Sequence, residues 1–452
     1  MSLTLAHALR MGRSSCIAFV GAGGKTTAMV KLAREIKPNV IVTATSHLGL
    51  WQTKFAHTHI STDEDSLDIV NHRTQGIILV TGKRERDRLQ PVNNKLLNWL
   101  YQYCKSRSIP LLIEADGSRQ KPLKAWAAHE PPIPNFVDVV IQMAGLDGLG
   151  KPLKDELVHR VDIFSNLSGL GNGETISPKA ISEILTHVEG GLKNIPKNAK
   201  RIVILNKADS LELQAAALAM TPSLLPAYHS VIVASLTNEK VYAVHEPVAG
   251  IVLAAGESTR FGKPKQLLDW KGQPFVRAVT LTAIRAGLSP VIVVTGANAE
   301  QITSTIRDLK VQIVKNENWK TGQGSSIREG ILTLTQPQPD LSQTRNENDV
   351  GSAIFLLADQ PQIGVSILQA LKEKHTEGLH RIVAPMVIDR RGNPVLFDRV
   401  TFPDLINIEG DTGGRAIFHK HRIEYLPWHD DGLLLDVDTP EQYQRLVSNE
   451  DL

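Results

Sequence analysis

Short apolar runs alternate with helix-like stretches from Ser15 to about Ser235. CIAFVGAG, VIVTAT, GIILVTG, PLLIEADG, VDVVIQMAG and RIVILNKAD each read as a strand ending in Gly, Asp or Thr, and TTAMVKLAREI and NKLLNWLYQYCKS read as helices between them. Continuous apolar strands alternating with helices predict a mostly parallel sheet covered on both faces. The pattern restarts at Val248. AGIVLAAG, PVIVVTGAN, VQIVKNE, AIFLLADQP, RIVAPM and GLLLDVDTP read as a second set of strands, with a helix over PFVRAVTLTAIRAGL. The expected fold class is therefore α/β, as two tandem Rossmann-like or P-loop-like domains over residues 1–240 and 247–452. The boundary falls in TNEKVYAVHEP (237–247), read as a short polar segment closed by a proline. The Pro-, Gln- and Asn-rich stretch TQPQPDLSQTRNENDV (335–350) reads as an exposed loop inside the second domain.

Composition narrows the class. A chain of 452 residues exceeds one ordinary domain. The net charge of +3 is small for this length, so no nucleic-acid partner is expected. The basic segment GKRERDRL (82–89) reads as a solvated loop or helix face. Only Cys16 and Cys104 occur, too few for a disulfide framework or a thiolate zinc site, which fits a reducing compartment. The N-terminus lacks the apolar core of a signal peptide, and no apolar run approaches membrane-spanning length. The expectation is a cytoplasmic protein with no membrane partner.

The second half carries the richer chemistry. LAAGESTRFGKPKQ follows a strand with glycines at 256 and 262 and with Arg260, Lys263 and Lys265. Glycines allow close backbone approach, and the cations suit a polyphosphate. ADQP places Asp359 after an apolar strand, and DVDTP places Asp436 and Asp438 after another. A carboxylate pair is an oxygen environment that magnesium takes when phosphates complete its shell. Any one such Asp is most simply a turn residue or helix cap. Their joint occurrence with the Gly/basic loop, in this order, points to nucleotidyl transfer, which rests on positioning, metal and cations.

Residues 248–452 resemble the molybdenum cofactor nucleotidyltransferases, and most closely their cytidylyltransferase branch. The first signature is matched by Leu253, Ala254, Ala255, Gly256, Ser258, Arg260, Gly262, Pro264 and Lys265. TGQGSSIREG, with Ser325 and Ser326, resembles the segment on the base and ribose side. RGNPVLF, with Gly392, Asn393 and Pro394, and GDTGGRAIF, with Gly413 and Gly414, resemble the substrate-side loops. The resemblance implies a nucleotide-diphospho-sugar transferase-like fold and catalysis by Arg260, Lys265, Asp359 and Asp438. It also implies magnesium on Asp359 and Asp438, the latter preferred over Asp436. Ala255 stands where guanylyl-transferring relatives usually carry Gly, which implies CTP. The implied reaction joins CTP and molybdenum-charged molybdopterin into the cytosine dinucleotide cofactor and pyrophosphate. Alternatives are a sugar-phosphate or methylerythritol-phosphate nucleotidyltransferase, or a carrier that binds cofactor without turnover.

The first half opens on a second loop, VGAGGKTT. Gly21, Gly23, Gly24, Lys25, Thr26 and Thr27 set a glycine-rich turn between a strand and a helix, where backbone amides cradle phosphates, Lys25 reaches them and Thr26 ligates magnesium. The loop is shorter than the standard P-loop, and a plain glycine turn is the competing reading. EADG adds Glu114 and Asp116 as a metal- or water-facing pair. NKAD, with Asn206, Lys207 and Asp209, resembles the guanine-reading element of GTPases, although a polar turn explains it equally well. His47 and His129 read as exposed or structural. With VGAGGKTT, EADGSRQKPLKA, AGLDGLGKPL and NKAD, this half resembles the selenium-dependent hydroxylase accessory proteins. That implies ATP or GTP as the ligand, and a molybdenum hydroxylase apoenzyme or its chaperone as partner.

Overall fold

A computed structural model describes residues 3–12, 15–36, 38–64, 75–257, 261, 263–336 and 349–448. The chain forms two compact units, Met1–His245 and Glu246–Leu452. The nine-stranded sheet of unit 1 comprises β1 (Cys16–Gly21), β2 (Asn39–Ala44), β3 (Thr58–Ser61), β4 (Gly76–Thr81), β5 (Leu111–Glu114), β6 (Val139–Gly145), β7 (Lys200–Asn206), β8 (Ser230–Ser235) and β9 (Lys240–His245). Their order across the sheet is β9-β8-β7-β6-β1-β5-β2-β4-β3. Every neighbouring pair is parallel except β8 and β9. Segment 237–247 thus holds an edge strand, where the sequence suggested only a polar connection.

Both faces of this sheet are covered, as continuous apolar strands require. Cys16, Ala18 and Val20 pack with Leu96, Leu97 and Leu100 of the helix Asn94–Arg107. Val203, Leu205, Val231 and Val233 pack with Ile181, Ile184, Ala217 and Met220 of two later helices. β1 lies centrally with β5 and β6 as neighbours, and the chain leaves it to form β2 beyond β5. The carboxyl ends of β1, β5 and β6 therefore border a crevice of the kind where open α/β sheets bind ligands. Residues 82–89 form a small antiparallel hairpin, Arg84–Glu85 with Arg88–Leu89.

The eight-stranded sheet of unit 2 is mixed. β10 (Val248–Ala254) lies parallel between β11 (Val291–Thr295) and β13 (Ser352–Leu357), and β12 (Gln312–Lys315) extends the β11 side. β14 (Ile382–Val387) and β15 (Val395–Asp398) add antiparallel strands, and β16 (Ile423–Pro427) pairs parallel with β14. Unit 2 has the nucleotide-diphospho-sugar transferase-like α/β fold.

GLLLDVDTP is not a strand. Asp430 accepts the amide of Gly432 at 2.8 Å and starts a 3-10 turn over Asp431–Leu434, which drives Leu433 into the core. A capped glycine turn outcompetes a strand built on three leucines. The strand before it in the chain, β16, has fewer apolar residues and is half exposed. Most of the 335–350 loop lies outside the described residues.

Candidate active site

In unit 2 the site grows from the end of β10. Leu253 and Ala254 finish the strand, opposite Val294 and Thr295 on one side and Leu357 on the other. Parallel register thereby brings three strand ends level: the loop after Ala254, the turn at Gly296, and Asp359. The carbonyl of Leu253 accepts the amide of Ala358 at 3.1 Å, and that of Ala255 accepts the amide of Ala297 at 3.2 Å. Gly256 is held by Gln266, whose Nε2 donates to its carbonyl at 2.9 Å. Arg260 and Gly262, with Ser258, lie outside the described residues.

Lys265 begins a 3-10 turn and is buried, with its Nζ 2.6 Å from Asp438 Oδ1. Asp438 is anchored in turn because Gln442 Oε1 accepts its amide at 2.6 Å. Asp436 accepts from Gln360 Nε2 at 2.9 Å. Gln360 is buried, and its Oε1 has no hydrogen-bond partner. Asp359 lies between these contacts. Burial pushes its carboxyl above the ordinary aspartate range, Lys265 opposes the shift, and Asp436 and Asp438 reinforce it. Among the described residues, no cluster of three His, Cys, Asp or Glu side chains is closed around a metal position. A divalent ion at Asp359 would thus take phosphate or water oxygens as its remaining ligands.

Two further loops of unit 2 meet each other. Gly322 has φ +111°, and a Cβ there would overlap the Gly410 backbone. This close approach joins the start of the helix Gln323–Thr335 to GDTGG: Gly324 N donates to Gly410 O at 3.2 Å, and Asp411 Oδ1 accepts the Gln323 amide at 3.4 Å. Ser325 and Ser326 are fixed by Asn316, whose Nδ2 donates to both hydroxyls at 2.8 and 3.0 Å. Gly413 faces Gln323, Gly414 lies against Phe397, and Gly392 lies against Leu433 of the turn that leads to Asp436. Asn393 and Pro394 complete the β14–β15 connection beside Gly392. Gln266, Gln360, Asn316 and Asp411 were not singled out from sequence. Gln266, Gln360 and Asp411 sit inside motifs that were, and Asn316 carries no local signal.

Unit 1 places Gly21, Gly23, Gly24, Lys25, Thr26 and Asp116 together. Lys25 is buried, donates to Gly21 O at 2.6 Å and lies 3.1 Å from Asp116 Oδ1. Asp116 Oδ2 accepts from Gly21 N at 3.0 Å and from Lys124 Nζ and Trp126 Nε1 at 2.9 Å each. Burial alone would raise this carboxyl. Lys25, Lys124 and the Gly21 amide together hold it below the usual aspartate range. Glu114 goes the other way: burial raises it, against Lys25. Its Oε2 accepts from Thr26 Oγ1 at 3.1 Å and from Gln52 Nε2 at 3.2 Å. Thr27 is exposed and takes no part in these contacts, and His47 and His129 are exposed. Lys124 sits inside the EADGSRQKPLKA motif without having been assigned a role, and Trp126 and Gln52 are additions that sequence did not mark.

Comparison with known families agrees with this division. Residues 17–162 match the model of the YqeC protein family, and residues 250–425 match that of the MobA-like NTP transferase domain. The uncharacterized protein YqeC of Escherichia coli K12 is 30% identical over 207 residues, which are 44% of this chain and 78% of that protein. Nicotine blue oxidoreductase of Paenarthrobacter nicotinovorans is 30% identical over 209 residues, 44% of this chain and 96% of that protein. A probable molybdenum cofactor guanylyltransferase of Bacillus cytotoxicus is 30% identical over 77 residues, 17% of this chain and 37% of that protein. Among solved structures, that of Rv0371c from Mycobacterium tuberculosis H37Rv shares 27% identity and covers 45% of this chain and 98% of its own, with a TM-score of 0.38. The protein is a nucleotidyltransferase by its second unit. The chain belongs to the YqeC family over its first unit and to the MobA-like NTP transferases over its second. No helix among the described residues is long and apolar enough to cross a membrane.

Proposed function

We propose that unit 2 transfers CMP from CTP to molybdenum-charged molybdopterin, forming the cytosine dinucleotide cofactor and pyrophosphate. The observation that carries this reading is Lys265 bound to Asp438 beside the partly buried Asp359, at the carboxyl ends of the central strands. Magnesium on Asp359 and Asp438 would supply charge neutralisation for the triphosphate. The donors present fit such an ion, because they are hard oxygens and the Gln360 Oε1 beside them lacks a partner. Residues 253–256 line the triphosphate path, and Lys265 and Arg260 offset charge on the leaving pyrophosphate. Ser325 and Ser326 hold the nucleoside, while Gly392–Pro394 and Gly413–Gly414 receive molybdopterin. A terminal phosphate oxygen of molybdopterin attacks the α-phosphorus of CTP, and the bond from that phosphorus to the bridging oxygen breaks. For unit 1 the proposal is phosphate binding at Gly21–Thr26, in an accessory role during maturation of a molybdenum hydroxylase.

The test is a panel of CTP, GTP and ATP with molybdenum-charged molybdopterin and magnesium, analysed for dinucleotide and pyrophosphate. CTP is expected to be strongly preferred. Preference for GTP, or no dinucleotide, overturns the assignment. An oxidoreductase, the activity in the P. nicotinovorans relative's name, releases no pyrophosphate, so the same assay separates the two readings.

A further inference from the structure

We infer that unit 1 selects guanine nucleotides, with phosphates at Gly21–Thr26 and the base held by Asp209. The inference rests on the reading of that loop as a phosphate cradle and adds the identity of the base. Its basis is a physical joint between the loop and NKAD. Asn206 is buried; its Nδ2 donates to Gly23 O at 2.7 Å and its Oδ1 accepts the Leu236 amide at 3.0 Å. One side chain thus ties the loop after β1 to the turn after β8. Gly24 makes room for it: φ is +124°, and a Cβ there would overlap Asn206 Nδ2.

Three residues beyond this joint, Asp209 is exposed but not loose. Ser235 Oγ and, at 3.3 Å, Asn238 Nδ2 both donate to its Oδ1, so the carboxylate is oriented by one oxygen while Oδ2 takes neither bond. The loop itself has coordination to spare. Asp116 is buried, its Oδ2 collects three donors, and its Oδ1 accepts no hydrogen bond and meets the Lys25 ammonium at 3.1 Å. A carboxylate oxygen aimed at the loop in this state fits a site that takes a further cation or water with the phosphates.

The chemistry of Asp209 chooses among bases. A carboxylate only accepts hydrogen bonds. Guanine presents two adjacent donors, N1–H and the N2 amino group, on one edge. Adenine presents an acceptor at N1 and no amino group at C2, which leaves the carboxylate unpaired against a lone pair. Inosine keeps N1–H and loses the amino group. Xanthine keeps N1–H and replaces the amino group by an acceptor oxygen, which an asparagine amide would match.

The experiment is calorimetric titration of the full chain, with magnesium, using non-hydrolysable triphosphates of guanosine, adenosine, inosine and xanthosine. Wild type is expected to favour the guanosine compound over adenosine by about a hundredfold or more, and over inosine by about tenfold. Asp209→Asn is expected to lose the guanosine compound and gain the xanthosine one, which also demonstrates that the variant is folded. Equal or tighter adenosine binding at a site abolished by Lys25→Ala overturns guanine selection and leaves the phosphate loop standing. Guanosine binding indifferent to Asp209→Asn overturns the base assignment. Absence of any binding that Lys25→Ala removes overturns the phosphate-loop reading, and guanine selection falls with it.

Discussion

Replacing Asp359 by Asn separates the two roles that a partly buried carboxylate can have. The side chain is nearly isosteric, so packing at the end of β13 is retained. In the wild type, burial and the neighbouring Asp436 and Asp438 disfavour the ionised carboxyl, and Lys265 favours it. Burial is the largest of these effects and outweighs the attraction of Lys265, so deleting the charge relieves rather than creates strain. The melting temperature of the variant should therefore equal or exceed that of the wild type. Catalysis should respond in the opposite sense. If the carboxylate holds the metal against the triphosphate, its loss costs about 10²–10³ in turnover, or ~2.7–4 kcal/mol of barrier. The assay is pyrophosphate release at saturating CTP and magnesium, with thermal unfolding on the same samples. Near-wild-type turnover at saturating metal would refute the metal role. A lowered melting temperature would refute the charge argument itself, because Asp359 would then be stabilising the fold.

Two other predictions rest on separate features. Because the Asp359 carboxyl lies above its ordinary 3.8, the folded state binds this proton more tightly than the unfolded chain. Its contribution to stability therefore falls as pH rises from the unfolded toward the folded value, while metal affinity grows over the same interval. At limiting magnesium, CMP transfer should rise with pH through an inflection above the usual aspartate range, and saturating magnesium should move that inflection down; a metal-independent inflection counts against the carboxylate. In unit 1, Gly24→Ala forces a side chain into φ +124°, at about 1–2 kcal/mol, and displaces Asn206 from its buried bond to Gly23, at about 1–3 kcal/mol. A combined loss of about 2–5 kcal/mol should lower a thermal transition of the full chain while CMP transfer at 25 °C persists; an unchanged melting profile shows that the joint contributes nothing.

The strands were legible because both sheets are covered on two faces, which writes them as uninterrupted apolar runs. Half-exposed edges wrote no such signal. β9 has one buried position and β16 none, so they read as polar connection and as nothing at all. GLLLDVDTP misled in the opposite direction, since three leucines resemble a strand until Asp430 caps a turn in front of them. Site residues were legible where the chemistry is local. Lys265 lies in the glycine-containing segment after β10, and Asp359 and Asp116 follow strand ends. The amides that hold the neighbouring Glu114 and Asp436 were not legible, because Gln52 and Gln360 act on these partners from 62 and 76 positions away, and periodicity carries no information about such contacts.

The charges of the two loops argue for different demands on a ligand. In unit 1, Lys25 and Lys124 face Asp116 and Glu114, so cations and carboxylates are evenly matched, and Asp116 accordingly lies below its usual range. In unit 2, among the described residues, Lys265 faces Asp359, Asp436 and Asp438. Among the described residues one cation faces three carboxylates, and that imbalance adds to the burial that chiefly raises the Asp359 carboxyl. A proton can make the imbalance good only by removing a ligand, whereas a divalent cation makes it good while keeping all three oxygens ionised. The shifted carboxyl and the proposed metal requirement then share one electrostatic contribution, added in the first case to burial. It follows that magnesium should displace a proton on binding to unit 2, so the enthalpy of that binding should vary with the ionisation enthalpy of the buffer.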